Sequence, residues 1–436
     1  MQARIGIRHE DKYLMERRCP LVPQNIQWLI DKQGIEIHVQ SSDKRSFSNQ
    51  EFRDAGAQIV TDLADCDVIF GVKEMPLEFF ERNKTYIFFS HVIKGQKYNM
   101  PMLKRMMHMG CNLIDYERIV DESNKRLIFF GRFAGLAGMI NTLWNTGLRL
   151  KHFGFDTPFL NVIQAHHYNS LREACLAISE VGFEIANYKI PDELRPFTIG
   201  VTGYGNVSSG VQEILGMLPC QEILPSELAK LKQRPDKAGN LFYNVTFRKE
   251  DIATHRDKSK PFDLAEYFAQ PEHYEGCFES YLPDLSVLVN GMYWDERYPR
   301  IVTREYLSEA YSKAESPKLA VVGDITCDIN GSIEATLEGS YIEDPIYVYD
   351  PFTHTIKSGH QADGLQVMAV DILPAELPRD SSAAFSYVLM RFVKGIATAN
   401  YKDSYEHVLL PAAVKKALIL HNGELTPPYK YLAKYL

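Results

Sequence analysis

The 436-residue chain is 45% hydrophobic and 24% charged with a formal net charge of −8, a balance that suits a globular protein with room for two domain cores. The acidic balance, with no Lys/Arg-rich block, argues against nucleic acid or an anionic membrane as a partner. No apolar signal core opens the sequence, no uncharged run is long enough to span a bilayer, and seven scattered cysteines without a CxxC pair read as reduced thiols, so a cytoplasmic protein is expected.

In chain order, ARIGIR (3–8) reads as a strand, ERRCPLVP as a loop, and Pro23 to Lys32 as a helix ending at Gly34. IEIHVQ (35–40) is a strand and SNQEFRDAGAQI a helix capped by Ser48. DVIFGV (67–72), TYIFFS (85–90), CNLIDY and RLIFFG (126–131) are strand-like runs, with a helix from Met100 to Met109 among them. Strand–helix alternation at this spacing predicts an α/β fold with largely parallel sheets. A long helix is expected from Gly135 to His152, able to lead from one domain to the next, and another over 171–182. Further along, QEIL is expected as a strand, SELAKLK as a helix, and LFYNVTF (241–247), SVLVNG (286–291) and KLAVVGDI (318–325) as strands. IEDPIYVYDP (342–351) is extended, 363–380 leads back toward the first domain, and helices are expected over Ser381–Ala397 and Glu406–Ile419.

The stretch TIGVTGYGNVSSGVQEIL (198–215) organises this pattern. A short β-favouring run breaks at Gly203-Tyr204-Gly205, Asn206 or Ser208 offers a cap, and apolar residues then fall at helical spacing. Glycines permit a sharp turn and a close ligand approach, and the helix N-terminus offers N–H groups to a pyrophosphate. The spacing is GxGxxxxG (Gly203, Gly205, Gly210) rather than GxGxxG, and a plain βα turn is the competing reading.

Ligands of parallel α/β sheets bind at the carboxyl ends of strands. Arg17 and Arg18, Lys73 and Glu74, His91 and Lys94, and Asp115 and Glu117 all lie at or after such ends. Each taken alone reads as a solvated turn or a structural histidine. Together they describe a cationic site for a carboxylate-bearing substrate, with Lys and His able to move protons. HExxH, GxSxG and GxxxxGK[ST] are absent, and no metal is expected.

Ten blocks in order, ERRCPLVP, GVKEMP, FSHVIKGQ, LIDYE, GRFAGLAG, TGYGNVSSG, LVNGMYW, GDITCDINGSIE, EDPIYVYD and DILPAELP, resemble the lysine–2-oxoglutarate reductase domain of aminoadipic semialdehyde synthase. This is the lysine-forming type of saccharopine dehydrogenase, within the alanine dehydrogenase/transhydrogenase superfamily. The resemblance implies two Rossmann-like domains with parallel sheets around a cleft. One is discontinuous (1–135 plus 340–436, for substrate and catalysis), and the other, 136–339, binds NAD(P). It implies condensation of L-lysine with 2-oxoglutarate and reversible reduction of the imine by NAD(P)H, NADP being slightly preferred by analogy. By the same resemblance Lys73 and His91 are the acid–base pair. Arg18, Glu74, Lys94, Glu117 and Arg132 belong to the substrate site, and Gly203, Gly205, Asn206, Val207 and Asp324 to the cofactor site. The implied partners are lysine, 2-oxoglutarate and saccharopine, with homo-oligomerisation open. A ribose-reading acid is not evident after QEIL, where Glu222 and Glu227 are the candidates, and no arginine for a 2′-phosphate stands there either. Two alternatives keep the same fold: an opine or amino-acid dehydrogenase for another amine or keto acid, and a non-catalytic nucleotide or lysine sensor.

Overall fold

The computed structural model describes residues 3–188, 190–233, 239–313 and 317–436. They form two units, Met1–Phe130 with Pro378–Leu436, and Gly131–Leu377.

In the first unit the chain lays down β1 (Arg4–Ile7), β2 (Glu36–Gln40), β3 (Gln58–Val60), β4 (Val68–Phe70), β5 (Thr85–Phe88) and β6 (Asn112–Asp115), all paired in parallel. Between them run α1 (Pro23–Gln33), α2 (Asn49–Asp54) and α3 (Met100–His108). α1 starts on a proline and ends at Gly34 in the left-handed region (φ 65°), as the sequence predicts. Ser48 caps α2 in a reciprocal box with Glu51. Both sheet faces are covered. Ile26 and Leu29 of α1 pack on one face beside Phe385, Leu389 and Val393 of the helix Pro378–Thr398. On the other, Met102, Leu103 and Met106 of α3 pack over Ile69, Tyr86 and Leu113. Continuous apolar runs such as β4 and β5 are what a doubly covered parallel sheet requires.

The second unit opens with α4 (Gly131–His152) and α5 (Leu171–Tyr188), then β7 (Thr198–Thr202), α6 (Asn206–Leu215), β8 (Cys220–Ile223) and β9 (Phe242–Phe247). An antiparallel hairpin of β10 (Ala253–His255) and β11 (Tyr274–Gly276) follows, then β12 (Val287–Asn290), β13 (Val321–Asp324), β14 (Ile346–Asp350), β15 (Thr355–Ser358) and β16 (Leu365–Met368). Its sheet runs β15-β14-β16-β13-β12-β7-β9-β8, with β14 and β15 antiparallel. α4 and α6 touch through glycines. A Cβ on Gly135 would lie 1.9 Å from the Val207 carbonyl oxygen, and one on Gly210 2.1 Å from that of Arg132. The chain then re-enters the first unit, where β17 (Leu418–His421) joins β6 antiparallel and β18 (Glu424–Leu425) joins β17. That sheet reads β18-β17-β6-β5-β4-β1-β2-β3.

Several expectations are corrected. Residues 340–377 belong to the second unit, because β16 pairs with β13 and β14 with β16. The crossing therefore falls at Pro378, not 340. The early boundary falls at Gly131, where α4 begins, four residues before the expected helix start. RLIFFG is not a strand. Its Ile128 and Phe130 fold inward, Phe130 stacking on Phe385 with centroids 4.5 Å apart, and only Arg126 bridges to Val120. The helix expected over Glu406–Ile419 shrinks to Ala412–Lys416, since Pro411 removes a donor and the apolar run after it supplies β17. SELAKLK lies in a 3-10 helix, Pro225–Gln233. QEIL, as β8, is the edge strand and not the neighbour of β7.

Candidate active site

Within the first unit, β1, β4, β5 and β6 stand side by side, so the residues just past their carboxyl ends share one edge. Lys73 and Glu74 follow β4, and His91 follows β5. Glu10, just past β1, accepts from the backbone N–H groups of Val72 (2.7 Å) and Lys73 (2.9 Å) and so clamps the turn carrying Lys73. Burial pushes the Glu10 carboxyl up to about 7. The Lys73 ammonium stands 5.5 Å from the centroid of the Tyr13 ring, within cation–π range.

Glu74 sits between a histidine and a lysine. His91 Nδ1 lies 2.7 Å from one carboxylate oxygen and Lys12 Nζ 2.8 Å from the other. Against the cost of burial, His91 and Lys12 hold this carboxyl down to about 2. With Nδ1 directed at Glu74, Nε2 is the other ring nitrogen of His91. The histidine backbone is left-handed (φ 50°), uncommon for a non-glycine residue. Asn99 secures the turn by donating to the carbonyl oxygens of Ser90 (3.0 Å) and His91 (3.3 Å). Buried Asp115, at the end of β6, accepts from the Ser90 hydroxyl and from the Glu117 backbone (2.8 Å), and burial pushes its pKa up.

Arg18 is buried and donates from Nε and Nη2 to the two oxygens of Glu16, at 2.8 and 2.6 Å. Its guanidinium lies 4.3 Å from the Phe130 ring centroid. Against the cost of burial, Arg18 holds Glu16 below the usual carboxylate range. One edge of the guanidinium is thus occupied by Glu16. Glu117 pairs with Arg126. Lys94 is exposed, three residues past His91.

In the second unit, Gly203 turns with φ 88°, and Gly205, not Asn206 or Ser208, is the N-cap of α6. The Ser208 hydroxyl instead donates to the Thr202 carbonyl at 3.1 Å. A Cβ on Gly205 would meet no atom within 4 Å, so the space over the turn is open at the helix N-terminus, as a bound pyrophosphate requires. The residues therefore fit a dinucleotide. Val207 packs beside Gly291, just past β12. Asp324 is fully buried at the end of β13. It accepts from Asn290 (2.9 Å), Thr326 (2.7 Å) and Thr336 (2.6 Å), and Asn290 in turn accepts from Thr202 (2.7 Å). Burial pushes the Asp324 carboxyl up. Asp324 thus pins the ends of three adjacent strands beside the glycine turn. Arg132 stands in the first turn of α4 and forms a two-pronged pair with Glu213 of α6 (2.9 and 2.6 Å).

Sequence reasoning missed Glu10, Lys12, Asn99 and Asn290. Glu10 and Lys12 follow the first strand directly and satisfy the same strand-end rule that singled out Lys73. A cluster of His255, Glu266 and His273 has ligand atoms within 4.8 Å of one another. Glu266 there is engaged by His273 (2.9 Å) and the Tyr274 hydroxyl (3.1 Å).

Residues 6–137 match the alanine dehydrogenase/PNT N-terminal domain. The chain is 38% identical over 447 residues to alpha-aminoadipic semialdehyde synthase of Arabidopsis thaliana, covering 99% of this chain and 41% of the relative. The chain is a homologue of alpha-aminoadipic semialdehyde synthase. The mitochondrial synthase of Bos taurus is 34% identical over 446 residues, with 99% and 48% covered, so the chain spans less than half the length of these curated relatives. A protein named saccharopine dehydrogenase (NAD(+), L-lysine-forming) of Emericella nidulans is 26% identical over 406 residues, with 89% and 90% covered. Among solved structures, an L-alanine dehydrogenase aligns over 99% of both chains with a TM-score of 0.62 at 15% identity. A transhydrogenase from Sinorhizobium meliloti aligns over 97% of this chain and 100% of its own with a TM-score of 0.54 at 14% identity. The fold is of the alanine dehydrogenase/transhydrogenase type. No helix among the described residues is long and apolar enough to cross a membrane.

Proposed function

We propose that the chain condenses L-lysine with 2-oxoglutarate and reduces the resulting imine with NAD(P)H to saccharopine, reversibly. The observation that carries this reading is Lys73 and His91 at neighbouring strand ends with Glu74 holding the histidine at 2.7 Å, in a homologue of the semialdehyde synthase matched over 99% of its length. The lysine amine attacks the keto carbon, and water leaves the carbinolamine to give the imine. The nicotinamide, when bound, supplies the hydride to the imine carbon. Lys73 at Nζ and His91 at Nε2 take the amine proton and protonate the departing oxygen. Glu74 fixes the ring and its proton on Nδ1, while Arg18, Lys94, Glu117 and Arg132 serve substrate carboxylate and amine charges. Gly203, Gly205, Asn206 and Val207 receive the cofactor, and Asp324 positions their strands. NADP is the preferred form. The free cysteines support a reducing compartment such as the cytoplasm, and a homo-oligomer fits the proposal.

The test is NADPH and NADH oxidation with 2-oxoglutarate and a panel of lysine, ornithine and alanine. Lysine-dependent oxidation lost in Lys73→Met and His91→Ala supports the proposal. Turnover with ornithine or alanine but not lysine removes the substrate assignment. Nucleotide binding without any turnover favours a sensor.

A further inference from the structure

The order of the second sheet moves the place where an adenosine ribose is read. In a dinucleotide-binding sheet the ribose hydroxyl meets the end of the strand beside the glycine strand. In chain order that strand is expected to be β8, and Glu222 and Glu227 are then the acids to weigh. The structure puts β9 there instead. β7 and β9 pair in parallel with Thr202 opposite Phe247, and the Gly203 N–H donates to the Phe247 carbonyl at 2.9 Å. The residue that emerges beside the glycine turn is therefore Arg248.

From this geometry, and resting on the dinucleotide reading of that turn, we infer that Arg248, with Tyr204, forms the subsite for the 2′-phosphate of NADP(H). Arg248 is exposed and, among the described residues, forms no salt bridge within 4 Å. Its guanidinium carbon lies 5.5 Å from the centroid of the Tyr204 ring, and that ring, in the middle of the glycine turn, is 58% exposed. A tyrosine face holding a guanidinium beside the ribose position leaves the planar N–H edge for a phosphate dianion, which it binds bidentately.

Three acids near this strand end are held or placed elsewhere. Asp251 accepts from the Arg248 backbone N–H at 2.8 Å. Glu227 accepts from the Leu224 backbone at 3.0 Å, and Glu222 sits on the edge strand with β9 between it and β7. Of the two acids that follow Arg248, Asp251 is thus held by the backbone and Glu250, two residues on, is exposed. Lys249 does not compete for the phosphate. It turns into an aromatic pocket, 5.5 to 5.7 Å from the centroids of Tyr298, Phe268 and Tyr267, and burial pulls its pKa down.

The experiment measures binding on the full chain by calorimetry, with 2′,5′-ADP against 5′-AMP and NADPH against NADH, for wild type, Arg248→Ala and Tyr204→Ala, with circular dichroism to confirm folding. Wild type is expected to bind the 2′-phosphorylated member of each pair at least 10-fold more tightly. Arg248→Ala is expected to erase that preference while leaving 5′-AMP and NADH affinity within about twofold, and Tyr204→Ala to reduce it severalfold. A wild type that binds both members of each pair alike overturns the inference and leaves the dinucleotide reading standing. So does a preference that survives Arg248→Ala. Failure of every nucleotide to bind overturns both.

Discussion

Gly210→Ala tests the packing that holds the glycine turn in place. In an ordinary helix interior this change stabilises, by about 0.9 kcal/mol. Here the added Cβ would lie 2.1 Å from the Arg132 carbonyl oxygen and 2.8 Å from the Leu136 nitrogen, both backbone atoms of α4, where ordinary contact begins at 3.4 Å. Opened head-on, the contact forces α4 and α6 apart by the difference, 1.3 Å. Overpacking against backbone costs about 3 kcal/mol at the upper end of its usual range. The net loss is then about 2 kcal/mol, which for a unit of roughly 250 residues lowers its melting temperature by roughly 4–8 °C. Because α6 begins at Asn206, the same displacement moves the turn, and NADPH affinity falls at least about 10-fold with it. Differential scanning calorimetry and nucleotide titration read both effects. A Gly210→Ala protein that melts at or above the wild-type temperature would refute the reasoning.

Gly205→Ala separates stability from binding: with no atom within 4 Å of the new Cβ and φ at −89°, calorimetry should show a melting temperature within about 2 °C of wild type, while titration shows weakened NADPH binding. Lys73→Met and His91→Gln should each lower turnover by about 10²–10⁴-fold with nucleotide affinity unchanged; a drop of less than threefold in steady-state assays removes them as acid–base groups. Glu74→Gln removes a carboxyl held from 4.5 down to about 2, a difference of about 3 kcal/mol. Because the folded pKa is depressed, that stability is fully present above pH 4.5 and is lost as pH falls toward 2. Urea midpoints of wild type and Glu74→Gln should therefore differ at pH 7 and converge toward pH 3, and a constant gap across that range counts against the Lys12–Glu74–His91 arrangement.

Much of the fold was legible because its parallel strands are buried on both faces and so appear as short continuous apolar runs: 67–72, 85–90 and 286–291 all contain strands. Local chemistry also spoke clearly, in the Ser48 capping box, the Gly34 stop and the glycine turn at 203–205. What sequence hid was long-range. Nothing in QEIL or LFYNVTF says which of the two lies beside β7, and that choice puts Arg248, rather than the end of β8, beside the glycine turn. The return of 346–368 to the second sheet was hidden likewise, since strands of either sheet carry the same apolar pattern. At the candidate site, Lys73, Glu74 and His91 were legible from strand-end position. The partners Glu10, Lys12 and Asn99 were not, because what marks them is hydrogen bonding across strands rather than spacing along the chain.

The central claim is that lysine and 2-oxoglutarate are joined through a reduced imine. The most direct measurement is mass spectrometry of the product formed from ¹⁵N-labelled lysine, 2-oxoglutarate and NADPH deuterated at the transferring position. The account predicts one product that carries both carbon skeletons, the label in the bridging secondary amine and a single deuterium on the former keto carbon, and no such product with Lys73→Met. Deuterium found in 2-hydroxyglutarate or glutamate, with lysine recovered intact, would contradict it.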